Sequence, residues 1–272
     1  MPTALVIEND PTDDARRLGD WLVDAGLELA VLRPHSGDAV PADLAGFDAL
    51  VVLGGDQRAY PSADGAPGAP WFPALESLLR RAVRHRVPTL GICLGAQLLA
   101  AAHGGTVEAS AAGPEIGPAL VARRDAADRD PLFAPVPFAP DVLQWHLDEI
   151  TELPAGAVLL VASTRYPHQA FRLGDRARGV QFHIECDTAM VERWAGGDRA
   201  FLAGLGVDPE ELVAACDALM GELEDTWQPF AWRFAALAQG RLPEHLDRLA
   251  DGVAAAGGGA SGQFRPLPLL DQ

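Results

Sequence analysis

A cysteine set between two glycines, Gly91-Ile92-Cys93-Leu94-Gly95, and a histidine two residues before a glutamate, His183-Ile184-Glu185, have the types and spacing for covalent chemistry. The cysteine follows a short apolar run from Pro88. It precedes the helix-forming stretch Ala96-Gln97-Leu98-Leu99-Ala100-Ala101, so the segment reads as strand, sharp turn and helix with Cys93 at the apex. This is the G-x-S-x-G elbow with sulfur in place of oxygen, in which small neighbours let backbone approach a nucleophile held on a strained turn. A thiol at a helix N-terminus also feels the positive end of the helix dipole, which favours the thiolate. Taken alone, the stretch also fits a buried structural cysteine.

In a strand, alternate residues face the same side. Within Arg178-Gly179-Val180-Gln181-Phe182-His183-Ile184-Glu185, His183 and Glu185 then point together into one site while Phe182 and Ile184 enter the core. A base and the carboxylate that orients it are what a cysteine nucleophile requires. A third feature is Gly54-Gly55 at the end of an apolar run, where a parallel strand lets a ligand reach bare backbone N–H groups. A turn that needs positive φ explains the same pair equally well.

The elements that must hold these residues begin with strand patterns at 3–8, 27–32 and 49–53. A helical pattern over 13–25 carries Ala15, Leu18, Leu22 and Val23, and another over 72–86 carries Leu75, Leu78, Leu79 and Val83. Strands so apolar suit a parallel sheet covered on both faces, and the strand-helix alternation predicts a doubly wound α/β fold. After Gly104-Gly105 come shorter segments at 106–108, 116–123, 143–146, 157–163, 169–172 and 179–183, read as a small antiparallel extension. From Asp208 to Leu237 the spacing is helical, with Pro229 expected to kink or split the run. Its apolar seam is read first as a face packed on the domain, and otherwise as a homodimer or partner interface. Residues 1–240 form the expected domain and 241–272 a tail, flexible from about 252, where an Ala/Gly/Ser run begins.

Hydrophobic residues make up 49% of the 272-residue chain, which fits a globular protein with a full core. The net charge of −17 argues against nucleic acid and anionic membrane as partners. The N-terminus lacks the basic and apolar regions of a signal peptide. Cys93, Cys186 and Cys216 are odd in number and widely spaced, which fits a reducing cytoplasmic setting and supplies no metal pattern.

Four separated features resemble the class I, triad-type glutamine amidotransferases, especially the glutaminase domain of GMP synthetase and its free-standing relatives. They are Gly54-Gly55, the segment Gly91 to Gln97, Gln144-Trp145-His146-Leu147-Asp148-Glu149, and Gly179 to Glu185. The resemblance implies a flavodoxin-like sheet and hydrolysis of L-glutamine without a cofactor. Cys93 would be the nucleophile, His183 base and acid, and Glu185 the orienting carboxylate. The N–H groups of Gly55 and Leu94 would form the oxyanion hole, with Gly54, Gln97, His146 and Asp148 bordering the glutamine. Gln169 begins a Q-A-F segment common in these relatives. Ile184 stands where a proline is frequent, and the loop Asp56 to Gly65 departs from the synthetase pattern. No ATP-pyrophosphatase motif follows, so an ammonia acceptor would be a separate synthetase polypeptide. Two alternatives are a γ-glutamyl hydrolase or peptidase using the same triad, and a non-catalytic binding module.

Overall fold

The computed structural model describes residues 1–242. Its first half alternates β1 (Thr3–Ile7), α1 (Arg16–Asp24), β2 (Glu28–Leu32), β3 (Ala49–Val52), α2 (Phe72–Arg84), β4 (Thr89–Ile92) and α3 (Leu94–Ala102). Short strands follow: β5 (Thr106–Ala109), β6 (Glu115–Leu120), β7 (Ala122–Arg123), β8 (Asp141–His146), β9 (Asp148–Glu152), β10 (Val158–Ala162), β11 (Ala170–Leu173) and β12 (Ala177–Val180). Three helices complete the described chain, α4 (Thr188–Gly197), α5 (Arg199–Gly204) and α6 (Pro209–Ala238).

The main sheet has eight strands in the order β2-β1-β3-β4-β12-β11-β10-β7. The first five run parallel, and β11, β10 and β7 continue the sheet antiparallel. The parallel part has the flavodoxin-like order, with the direction of winding reversing beside β1, and such sheets bind ligands at the carboxyl ends of their strands. The expected doubly wound, mostly parallel α/β fold with a small antiparallel extension is the fold observed. Two antiparallel pairs, β5 with β9 and β6 with β8, stand apart from the main sheet.

Period-two side-chain alternation explains the two cores. Ala4 and Val6 of β1 enter one cluster, with Leu18, Trp21, Trp227 and Phe230 of the helices on that face. Leu5 and Ile7 enter the other, beneath Leu75, Leu78 and Leu79 of α2 and Leu98 and Leu99 of α3. The edge strand β2 is only half-buried, unlike the central strands.

Several sequence readings change in detail. The segment 116–123 is two strands, because Ile116 to Leu120 pairs with β8 while Ala122 and Arg123 cross to β10 in the main sheet. The strand carrying the histidine ends at Val180, so His183 and Glu185 lie beyond it and their shared direction comes from an irregular segment. A bridge to Leu143, with the His183 N–H donating to the Leu143 carbonyl at 2.8 Å, pins that segment in place of strand pairing. Phe182 and Ile184 are buried, as alternation predicted.

Pro229 does not split the C-terminal helix, and α6 runs unbroken through it for 30 residues. A mid-helix proline costs about 3 kcal/mol. Trp227, Phe230 and Phe234 flank it with no exposed surface, and each fully buried large apolar side chain returns about 1.5–3 kcal/mol. The helix begins where sequence rules place a start: Asp208 accepts the Glu211 N–H at 3.0 Å, with Pro209 in the first turn. Its apolar seam packs on the domain core, the first of the two readings. The tail expectation from 243 onward lies outside the described residues.

Candidate active site

The peptide N–H of Cys93 donates to the Val180 carbonyl at 2.8 Å, so its backbone belongs to the β4–β12 seam. Its dihedral angles, φ 50° and ψ −109°, then turn the chain abruptly into α3, whose N-cap it forms. Backbone strain of this kind persists only where the surroundings over-determine it. The flanking glycines provide that fit: a Cβ at Gly95 would stand 2.0 Å from the Val52 carbonyl oxygen, and one at Gly91 would stand 2.6 Å from the Gly95 backbone. No larger residue fits either place without moving the strand or the helix.

The Cys93 side chain is 6% exposed, and Gln181 Nε2 lies 3.6 Å from its sulfur. Gln97 Nε2 donates to Gln181 Oε1 and to the Asp148 carbonyl, each at 3.2 Å, which joins α3 to the β8–β9 arm. The sulfur sits 3.9 Å from the Trp145 carbonyl oxygen.

His183 and Glu185 are buried together, and His183 Nδ1 donates to Glu185 Oε1 at 2.7 Å. That bond assigns the Nδ1 proton and leaves Nε2, which has no partner, for the cavity that His183 shares with Cys93. Trp194 of α4 packs edge-on to the imidazole, with ring centroids 4.7 Å apart. Burial alone would lower the His183 pKa, yet the Glu185 carboxylate and Cys93 outweigh it and hold the histidine well above its ordinary value.

Two cavities meet at Cys93. The smaller, about 90 Å³, is lined by His183, Trp194, Asp13, Gly55, Asp56 and Asp198. The larger, about 260 Å³, is lined by Gly55, Gln97, Trp145, His146, Leu147 and Asp148. Leu94 is the first residue of α3, so its N–H has no preceding turn to donate into. His146 Nδ1 faces the Asp148 carbonyl at 2.9 Å and Nε2 faces Glu115 Oε2 at 3.2 Å. Tyr60 Oη donates to Asp148 Oδ1 at 3.1 Å. Gln169 lies behind this group, donating to Glu115 Oε2 and accepting from Gln144, each at 2.8 Å. Gly54 packs under His183 and Asp13. Cys93, His183, Gly55, Gln97, His146 and Asp148 thus line one or both cavities, and Glu185 and Gln169 hydrogen-bond within or behind that lining.

Ligand atoms of His183, Glu185 and Cys186 lie within 4.8 Å of one another. They do not suit a metal, since the His183–Glu185 hydrogen bond engages the donors and burial holds the Cys186 thiol protonated by raising its pKa strongly.

The glutamine amidotransferase class-I family profile matches residues 16–189. The chain belongs to the class I glutamine amidotransferase family. Among the relatives of this chain is the GMP synthase [glutamine-hydrolyzing] of Thermomicrobium roseum, 41% identical over 138 residues, which are 50% of this chain and 23% of that protein. Gamma-glutamyl peptidase 4 of Arabidopsis thaliana is 28% identical over 145 residues, 53% of this chain and 55% of the relative. The chain thus spans about a quarter of the first relative's length and about half of the second's. A crystal structure of a glutamine amidotransferase from Thermotoga maritima superposes with a TM-score of 0.77 at 27% identity, covering 86% of this chain and 98% of the other.

Among the residues that line the smaller cavity, Asp13, Asp56, Arg193, Trp194 and Asp198 were not singled out from sequence as site residues. Asp13 carried a signal, since it lies in an acidic loop just past the carboxyl end of the first strand. Trp194 and Asp198 lie on α4 and at its end, where no motif marks them.

Proposed function

We propose that the chain hydrolyses the side-chain amide of L-glutamine through a Cys93–His183–Glu185 triad. One observation carries the reading: His183 Nδ1 is committed to Glu185 Oε1 at 2.7 Å, its Nε2 is unpartnered, and His183 lines one cavity with Cys93, the apex of the elbow. In this account the larger cavity holds the glutamyl moiety, bordered by Gly54, Gln97, His146 and Asp148. The Cys93 thiolate attacks the carboxamide carbon, and the N–H groups of Gly55 and Leu94 hold the oxyanion. The C–N bond breaks as protonated His183 gives its proton to the departing nitrogen, so ammonia leaves and a γ-glutamyl thioester remains. Water then attacks with His183 as base, releasing glutamate and restoring the thiol.

No metal or nucleotide enters this sequence. A separate synthetase polypeptide is the proposed ammonia acceptor, and residues 1–240 are the proposed functional domain. Three free, buried cysteines support a reducing, cytoplasmic setting, and among the described residues no helix is long and apolar enough to cross a membrane.

The test is a glutamine analogue with a diazoketone in place of the carboxamide. Attack by Cys93 expels dinitrogen and leaves a stable thioether, so the label should fall on the Cys93 peptide and be blocked by excess L-glutamine. Labelling of Cys186 or Cys216 instead would remove Cys93 from its role.

A further inference from the structure

The small cavity has a charge that glutamine hydrolysis does not require. Three carboxylates line it, Asp13 after β1, Asp56 after β3 and Asp198 at the end of α4, against one guanidinium, Arg193. Asp13 is the informative one. It is 5% exposed, and its Oδ1 has no hydrogen-bond partner. An unpaired buried carboxylate is costly unless a cation meets it.

Its position relative to the chemistry is fixed by Gly54. A Cβ built there would lie 3.2 Å from His183 Cε1 and 3.4 Å from Asp13 Cγ, so both side chains close over the same glycine. Asp198 is anchored by Trp145 Nε1, which donates to its Oδ2 at 3.0 Å. Asp10, tied down by Thr12, adds a fourth negative group behind Asp13 and Asp56.

We propose that this cavity is a cation-selective leaving-group subsite, so that the substrate class includes γ-glutamyl amides of short diamines. The inference rests on the triad reading given above. The departing nitrogen lies at His183 Nε2, and the far ammonium of the amine lies against Asp13 and Asp198. When the C–N bond breaks, the nitrogen takes the His183 proton, the γ-glutamyl group stays on Cys93, and the diamine leaves with its distal charge unchanged. A volume of about 90 Å³ restricts the amine to a short one. Burial, opposed in part by His183 and reinforced by the Glu185, Asp10 and Asp56 carboxylates, raises the Asp13 pKa to about 7.

Two measurements on the full chain test this. The first compares kcat/KM for γ-glutamyl 3-aminopropylamide with that for the neutral isostere γ-glutamyl butylamide. A charge-assisted contact predicts about a tenfold preference for the cationic substrate, falling below about threefold in Asp13→Asn and in Asp198→Asn. Equal rates or a preference for the butylamide in the wild type overturn the subsite. The second follows alkylation of Cys93 by iodoacetamide, which needs no turnover. Saturable protection by 1,3-diaminopropane, absent with butan-1-ol and lost in both variants, supports the cation subsite; hydrolysis of neither amide overturns the diamine-amide substrate class, and loss of L-glutamine hydrolysis as well would sink the triad reading. Absence of protection, with either amide turned over, sinks the subsite and leaves the triad.

Discussion

At the scale of single residues, the His183–Glu185 contact divides the work between charge and shape. Glu185→Gln keeps an oxygen able to accept the Nδ1 proton but removes the charge that favours the imidazolium. We expect kcat to fall by about 10²–10⁴-fold with KM nearly unchanged, measured by steady-state glutamate release; unchanged turnover would defeat the assignment. Asp13 makes a separate prediction about stability. Its pKa is about 7 when folded, raised from 3.8, so the folded state binds a proton that the unfolded state releases across that interval. Stability therefore falls as pH rises from about 4 to about 7 and the penalty is constant above. Asp13→Asn should gain stability over the wild type progressively across that window and keep a constant gain beyond it, in melts recorded at several pH values. A gain independent of pH would contradict the raised pKa.

At the scale of elements, the site is where strand ends converge: Asp13 follows β1, Gly54-Gly55 follows β3, Cys93 follows β4 and His183 follows β12. What aligns β12 with its antiparallel neighbour is partly ionic. Arg178 is fully buried and donates to Asp130 Oδ2 from Nη2 at 3.0 Å, while Arg172 Nε lies 3.3 Å from the same oxygen. Burial pulls the Arg178 pKa down and Asp130 opposes it. Asp130→Ala would leave a buried guanidinium without its partner, and we expect a loss of about 3–5 kcal/mol in urea denaturation. A loss under about 1 kcal/mol would mean that water already reaches the pair.

The elbow was legible in sequence because its requirements are local: Gly91 and Gly95 report their own close contacts. His183 and Glu185 were legible by spacing, although the strand invoked to explain the spacing stops at Val180. β9 was not, since Leu147 alone separates it from β8 while the two strands pair with different partners. Nor were α4 and α5, whose short runs carry weak periodicity.

At the scale of the whole molecule, the order β2-β1-β3-β4-β12 was foreseeable as a class, because buried apolar strands alternating with amphipathic helices admit few other arrangements. The acidic cavity was not foreseeable. It is assembled from residues 13, 56 and 198, and a net charge of −17 says nothing about which acids converge. The family matches fix the kind of protein, and the leaving group is set by residues outside the motifs that carry the match.

The central claim is that Cys93 attacks a γ-glutamyl carbonyl, and the most direct measurement is release of glutamate and ammonia from L-glutamine by the wild type and Cys93→Ala side by side. We expect equimolar products from the wild type and a loss of about 10³-fold or more in the variant, with an unchanged circular dichroism spectrum. Turnover retained in Cys93→Ala at a rate near that of the wild type would contradict it.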